Sequence, residues 1–147
     1  MPMSEIPEKL AQKLDALSLV SDRSERIQLL IDIAGKFKEV PPQVATRPFP
    51  EENRVPACES EAFVWGERRP DGRLDFHFAV ENPQGISAKA MAVILRDSLS
   101  GQPLEQVAAV PQDVVYTVFG NELSMGKSMG LMGMVTMVKT LARNAQG

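Results

Sequence analysis

The sequence has one cysteine, one histidine, one tryptophan and one tyrosine in 147 residues. A single thiol cannot close an internal disulfide, and small secreted domains usually carry several. One cysteine and one histidine cannot build a thiolate zinc site or hold an iron–sulfur cluster alone. Basic charge is not in excess: 16 Lys and Arg stand against 19 Asp and Glu, a formal net charge of -3. The electrostatic footprint of a nucleic-acid binder is therefore missing. No uninterrupted apolar run approaches the length of a membrane span. Met1 to Glu8 is polar and acidic, without the basic start and apolar core of an export signal. These absences make the cytoplasm the expected location, and a thiol there stays reduced.

What is present is an ordinary globular balance, 44% hydrophobic and 24% charged. The length suits one domain over residues 1–147 with a core of its own. Ile6, Leu10, Leu14 and Leu17 recur at helical spacing behind Pro7. A second helix is predicted from Ser21–Ser24 to Gly35, with Ile27, Leu30, Ile31 and Ala34 as its buried face, packed against the first. A proline-rich loop follows over residues 38–57, carrying Pro41, Pro42, Pro48, Pro50 and Pro56. Proline removes an amide hydrogen and restricts the residue before it, so this stretch is extended. Loops of this length in compact domains are often functional.

A β-hairpin comes next. Ala62 to Glu67 pairs across an Arg69-Pro70-Asp71-Gly72 turn with Leu74 to Val80, whose alternation has period two. With the turn around Pro70 to Gly72, Val64 lies roughly opposite His77, and Ala62 lies near Ala79 or Val80. Helices are predicted over Ile86 to Asp97, over Pro103 to Val110, and from Ser124, as N-cap, to about Arg143. Asp113 to Phe119 has strand propensity but is short, and is read as a helical turn. The pattern of helices, hairpin and helices is α+β, a small antiparallel sheet packed against several helices.

Cys58 closes the proline-rich loop among Arg54, Glu59, Ser60 and Glu61. A small buried hydrophobe and a reactive thiol are both open to it. Extending the hairpin register places Cys58 near Pro83 to Gly85, at the start of the next helix, where free amide hydrogens favour a thiolate. Glu59 and Glu61 oppose that effect. The same register puts His77 about six residues away along the hairpin, on the order of 20 Å at strand rise. That is too far for a Cys-His dyad. Gly126-Lys127-Ser128 invites a phosphate-loop reading, but the glycine needed ahead of it is replaced by Asn121. In the last helix Leu131, Met134, Val138 and Leu141 form a core stripe, and Met125, Met129 and Met132 are either core or an adaptable partner surface.

Val55-Pro56-Ala57-Cys58-Glu59-Ser60, followed by an aromatic-rich strand with Trp65, resembles the cysteine loop of the SufE sulfur-acceptor proteins. Asn82 to Leu95 and Leu123-Ser124-Met125-Gly126-Lys127-Ser128-Met129-Gly130-Leu131 resemble the family's segments in the same order. Three positions depart from its pattern. Ala57 stands where glycine is usual, Lys127 where arginine is usual, and Trp65 lies a residue or two late. The resemblance implies a SufE and iron–sulfur-scaffold-like α+β fold. It also implies that Cys58 takes sulfane sulfur from the persulfide of a SufS-like cysteine desulfurase, which carries pyridoxal phosphate, and that the desulfurase is stimulated. The sulfur would pass to an iron–sulfur scaffold complex. Arg54, Glu59, Ser60 and Lys127 would then bind the partner, and the chain itself would need no cofactor or metal. It would act as an accessory to the desulfurase rather than as a stand-alone enzyme. The alternatives are a non-catalytic interaction module with a structural cysteine, and a redox-sensing thiol that lacks a resolving cysteine.

Overall fold

The computed structural model describes residues 6–120 and 123–146. Most of the polar Met1–Glu8 start, and the Asn121 that argues against a phosphate loop, lie outside the described residues. Helix α1 spans Glu8–Ser18 and α2 spans Arg23–Ala34. A short 3-10 turn at Glu51–Asn53 precedes strands β1 (Ala62–Arg68) and β2 (Leu74–Val80). Four helices follow: α3 (Ile86–Leu99), α4 (Leu104–Ala108), α5 (Val114–Phe119) and α6 (Met125–Gln146). The architecture is α+β, as the sequence predicts, and among the described residues the sheet is one antiparallel pair.

Of the two pairings expected for Ala62 the hairpin has the one with Val80, which sets His77 one residue from Val64. Trp65 faces His77 and Val64 faces Phe78. The cause is the turn. Arg69 and Arg73 are joined by an N–H to carbonyl bond of 2.7 Å around Pro70, Asp71 and Gly72. Gly72 has φ of +89°, the left-handed residue that completes a three-residue loop. A loop of that length pairs Ala62 with Val80 rather than Ala79.

This register sorts the side chains. Val64, Leu74, Phe76, Phe78 and Val80 point into the main core, with α3 packed on β2 and α6 on β1. Phe63, Trp65 and Ala79 point the other way, and the proline-rich loop covers them with Val40, Val44, Ala45 and Phe49. Phe49 sits 5.2 Å from Phe63 and 5.0 Å from Trp65, centroid to centroid. The Val40 amide donates to Phe78 and the Asn53 side chain to the Val64 carbonyl. Arg47 reaches both Glu39 and Glu81, and its guanidinium is held above its ordinary pKa, first by the bond to Glu39 and then by that to Glu81. The loop is thus a fixed cover over the sheet's outer face and not a free arm.

Two further corrections concern α1 and α2. They pack on α3 instead of forming a pair with each other. The face of α2 is also rotated: Leu30, Ile33 and Ala34 are buried, while Ile27 and Ile31 remain exposed. Arg26 of α2 adds a polar tie to this packing. Its guanidinium donates to the carbonyls of Leu17 and Val20 at the end of α1 and just beyond it, and of Thr117 and Val118 in α5, each at 2.9 Å. The ends of α-helices leave carbonyls without intrahelical partners, and a cation there also opposes the helix dipole. Charge-assisted bonds of this kind contribute about 1.5–3 kcal/mol each but are not additive, so Arg26→Ala should lower the unfolding free energy by about 3 kcal/mol in denaturant titration. Arg26→Lys, which lacks the fork, should recover less than half of the loss.

Candidate functional site

The thiol loop is held at both ends. The Val55 amide donates to the Ala62 carbonyl at 2.8 Å, and Arg54 bridges to Phe63 beside it. The Glu81 amide donates to the Glu61 carbonyl, and the Asn82 amide to that of Ser60, each at 3.1 Å, so the hairpin continues past its strands up to the loop. Between these anchors the chain turns on two residues in the left-handed region, Ala57 (φ 59°) and Glu61 (φ 52°). The turn sends Glu59 and Glu61 outward and Cys58 inward. Cys58 is a free thiol, 9% exposed, and belongs to the main core cluster. Arg54, Glu59, Ser60 and Glu61 around it in sequence are polar and do not mark it as buried. Backbone direction, which sequence polarity does not encode, turns it inward.

Cys58 lines a cavity of about 470 Å³. The cavity is walled by three pieces of chain: the loop itself with Glu59 and Ser60, the segment from Asn82 into the first turn of α3, and the start of α6 with Gly126, Lys127, Gly130 and Leu131. The expected closeness of Cys58 to Pro83–Gly85 is therefore met, since Gln84 and Gly85 share this wall. Helix α6 begins as predicted with Ser124, whose hydroxyl accepts from the Lys127 amide at 3.2 Å. Two helix N-termini thus border one thiol. Each carries the positive end of a helix dipole on the cavity wall.

The close packing depends on α6 presenting glycine to the loop. A Cβ on Gly130 would lie 2.9 Å from the Cα of Cys58 and 3.2 Å from the Ala57 carbonyl. Both are backbone atoms of an anchored loop, with little room to give. Gly133 approaches the Pro56 carbonyl in the same way. Gly126 is different, with nothing nearer than the Glu59 carboxylate at 3.9 Å.

Of the five predicted site residues, the structure brings four together: Cys58, Glu59, Ser60 and Lys127. Arg54 does not line the cavity. It lies at the loop base, 3.7 Å from Glu51 and 4.0 Å from Glu61. Sequence reasoning missed Ile86, Ser87 and Ala88 of α3; it reads the α6 glycines as permitting close backbone approach, without naming the thiol loop as what Gly130 meets. The signal for Gly130 was the glycine spacing on α6, which faces the loop at 126, 130 and 133. His77 points to the sheet's other face and bonds Glu67 at 2.9 Å, well separated from the thiol. Among the described residues no group of three His, Cys, Asp or Glu side chains could hold a metal ion. No helix of the described residues is long and apolar enough to cross a membrane.

A family model described as the SufE Fe-S metabolism associated domain matches residues 11–142. The chain belongs to the SufE family. Its fold is similar to the solution structure of a hypothetical protein from Thermus thermophilus, with a TM-score of 0.75 and 27% identity over 96% of this chain and 98% of that one. No curated protein matches the sequence significantly. Membership associates the chain with Fe–S metabolism, and every wall of the Cys58 cavity falls inside the span matched to the SufE domain.

The departure at Ala57 acquires a physical meaning here. The SufE loop usually carries glycine there, and this chain holds alanine at φ 59°. A left-handed non-glycine residue costs about 1–2 kcal/mol, partly offset by the lower entropy of alanine in the unfolded chain. Ala57→Gly should therefore raise stability by about 0.5–1 kcal/mol, read as an upward shift of the thermal midpoint. Gly130→Ala and Gly126→Ala should move in opposite directions. The former should lose about 1–3 kcal/mol, because overpacking against fixed backbone exceeds the gain in helix propensity. It should also raise the rate at which Cys58 reacts with a thiol reagent. The latter should be neutral or slightly stabilising, and should leave that rate unchanged.

Proposed function

We propose that this SufE-family chain accepts sulfane sulfur on Cys58 from the persulfide of a cysteine desulfurase, stimulates that enzyme, and passes the sulfur to an iron–sulfur scaffold complex. The observation that carries this reading is the placement of the chain's only cysteine at a cavity shared by two helix N-termini, in a family associated with Fe–S metabolism. The cytoplasm is the setting that suits a thiol needed in reduced form.

The chemistry is thiol–disulfide exchange. The Cys58 thiolate attacks the outer sulfur of the donor persulfide. A new S–S bond forms at Cys58 as the donor S–S bond breaks, and the donor cysteine leaves as its thiolate. The persulfide proton stays with the transferred sulfur or is lost to solvent, and no net oxidation occurs. No metal or local base is required. The first turns of α3 and α6, Lys127 and Glu59 line the cavity that the incoming persulfide must enter. The cavity gives the second sulfur atom room beside Cys58, and the burial of the thiol shields a bound persulfide from small reductants. Glu59, Ser60 and Lys127 face whatever reaches the cavity, and Arg54 acts from the loop base by holding Glu61.

One observation favours a second reading. Cys58 is part of the main core cluster, as a structural cysteine in an interaction module would be. Intact mass after incubation with a desulfurase and cysteine separates the two. The sulfur-carrier reading expects a gain of one sulfur atom on the wild type, reversed by dithiothreitol and absent from Cys58→Ser. A gain that survives Cys58→Ser, or no gain with several desulfurases, would sink it.

A further inference from the structure

Helix α6 carries five of the chain's eight methionines, and the structure divides them sharply. Met134 is fully buried, and Met132 and Met137 pack partly against the core. Met125 and Met129 are 80% and 55% exposed. They stand one turn apart on one flank of α6, next to the glycines that seat the thiol loop. Gly126 and Gly130, their immediate neighbours, approach Glu59 and the backbone of Cys58. A protein surface that reaches Cys58 therefore covers the opening two turns of α6. Two large, unpartnered thioethers at that spot suit an apolar, adaptable contact.

Exposed thioethers are also the methionines most open to two-electron oxidants. We propose that Met125 and Met129 form a peroxide-sensitive modification site that weakens docking of the persulfide donor when oxidised. Each thioether takes one oxygen atom from a peroxide, which is reduced to water or an alcohol as the sulfur becomes a sulfoxide. The product is polar where the side chain was apolar, so it disrupts a methionine contact without touching the thiol. Methionine sulfoxide reductase, with a thiol reductant, reverses the step. This inference rests on the sulfur-carrier reading for its functional consequence, but not for the chemistry of the site.

The test uses the full chain with hydrogen peroxide as the probe. After limited treatment, dithiothreitol is added to return reversible oxidation at Cys58 to the thiol. Peptide mapping should then find sulfoxide at Met125 and Met129 ahead of Met91, Met132, Met134 and Met137. Sulfur uptake from a desulfurase should fall about tenfold in the treated wild type, the scale expected for loss of a buried methionine contact. The treated double variant Met125→Leu, Met129→Leu should keep the uptake of its untreated form, and sulfoxide reductase should restore the wild type. Damage at Cys58 would affect both proteins alike, so the difference between them reports the methionines. Equal loss in the two proteins, or oxidation of the core methionines first, would overturn the proposal. Failure of the untreated wild type to take up sulfur would instead remove the carrier reading, leaving the mapping result to decide the modification site.

Discussion

The approach of α6 to the thiol loop at Gly130 is the contact on which the site depends. A helix backbone and a loop backbone meet with no side chain between them. This nearness puts the α6 N-terminus on the cavity wall, and the hairpin's extension through Asn82 brings α3 to the opposite wall. A single Cβ at Gly130 would force the helix away or the loop outward. The intrinsic cost of glycine inside a helix, about 1 kcal/mol, is a small term beside that geometric need. Lys127 and Leu131 reach the cavity because the helix between them lies flush with the chain at Cys58.

The sheet performs two separations that the site uses. Its inner face belongs to the main core and to α3 and α6, while its outer face belongs to the proline-rich loop. Cys58 and His77 thus fall on different sides of one layer, so the single histidine and single cysteine are kept out of contact by fold rather than by distance alone. Arg26 performs a comparable task elsewhere. By gathering carbonyls from α1 and α5 it adds a polar tie to the packing of the first helix, without any large apolar interface between α1 and α2.

Much of this was legible in the residues. The hairpin, the Ser124 cap, the long last helix and the nearness of Cys58 to Gly85 follow from local pattern and register. The burial of Cys58 does not, because Glu59 and Glu61 describe the polarity of the segment and not the direction of its backbone. Positive φ at two non-glycine residues is a tertiary outcome that no local propensity favours. The face of α2 was undecidable for a different reason. Ile27, Leu29, Leu30, Ile31 and Ile33 surround the helix, so periodicity allows more than one buried stripe. The cover on the sheet did leave a trace, since Phe63, Val64 and Trp65 are consecutive and apolar, and consecutive strand residues can all be buried only if both faces are covered. The register around His77 was legible only to within one residue, because glycine at a turn's end permits three-residue as well as two-residue loops.

Trp65 is the chain's only tryptophan, and it lies edge-on to Phe49 of the proline-rich cover, stacked beside Phe63. Its indole is therefore an optical reporter confined to one place. Emission excited at the tryptophan band comes from the seam between cover and hairpin and from nowhere else in the molecule. A partner that pries the cover loose wets that indole and shifts its colour to the red, whereas one that engages only the thiol side leaves the spectrum alone. The chain carries, without a label, a means of telling which of its two faces has been touched.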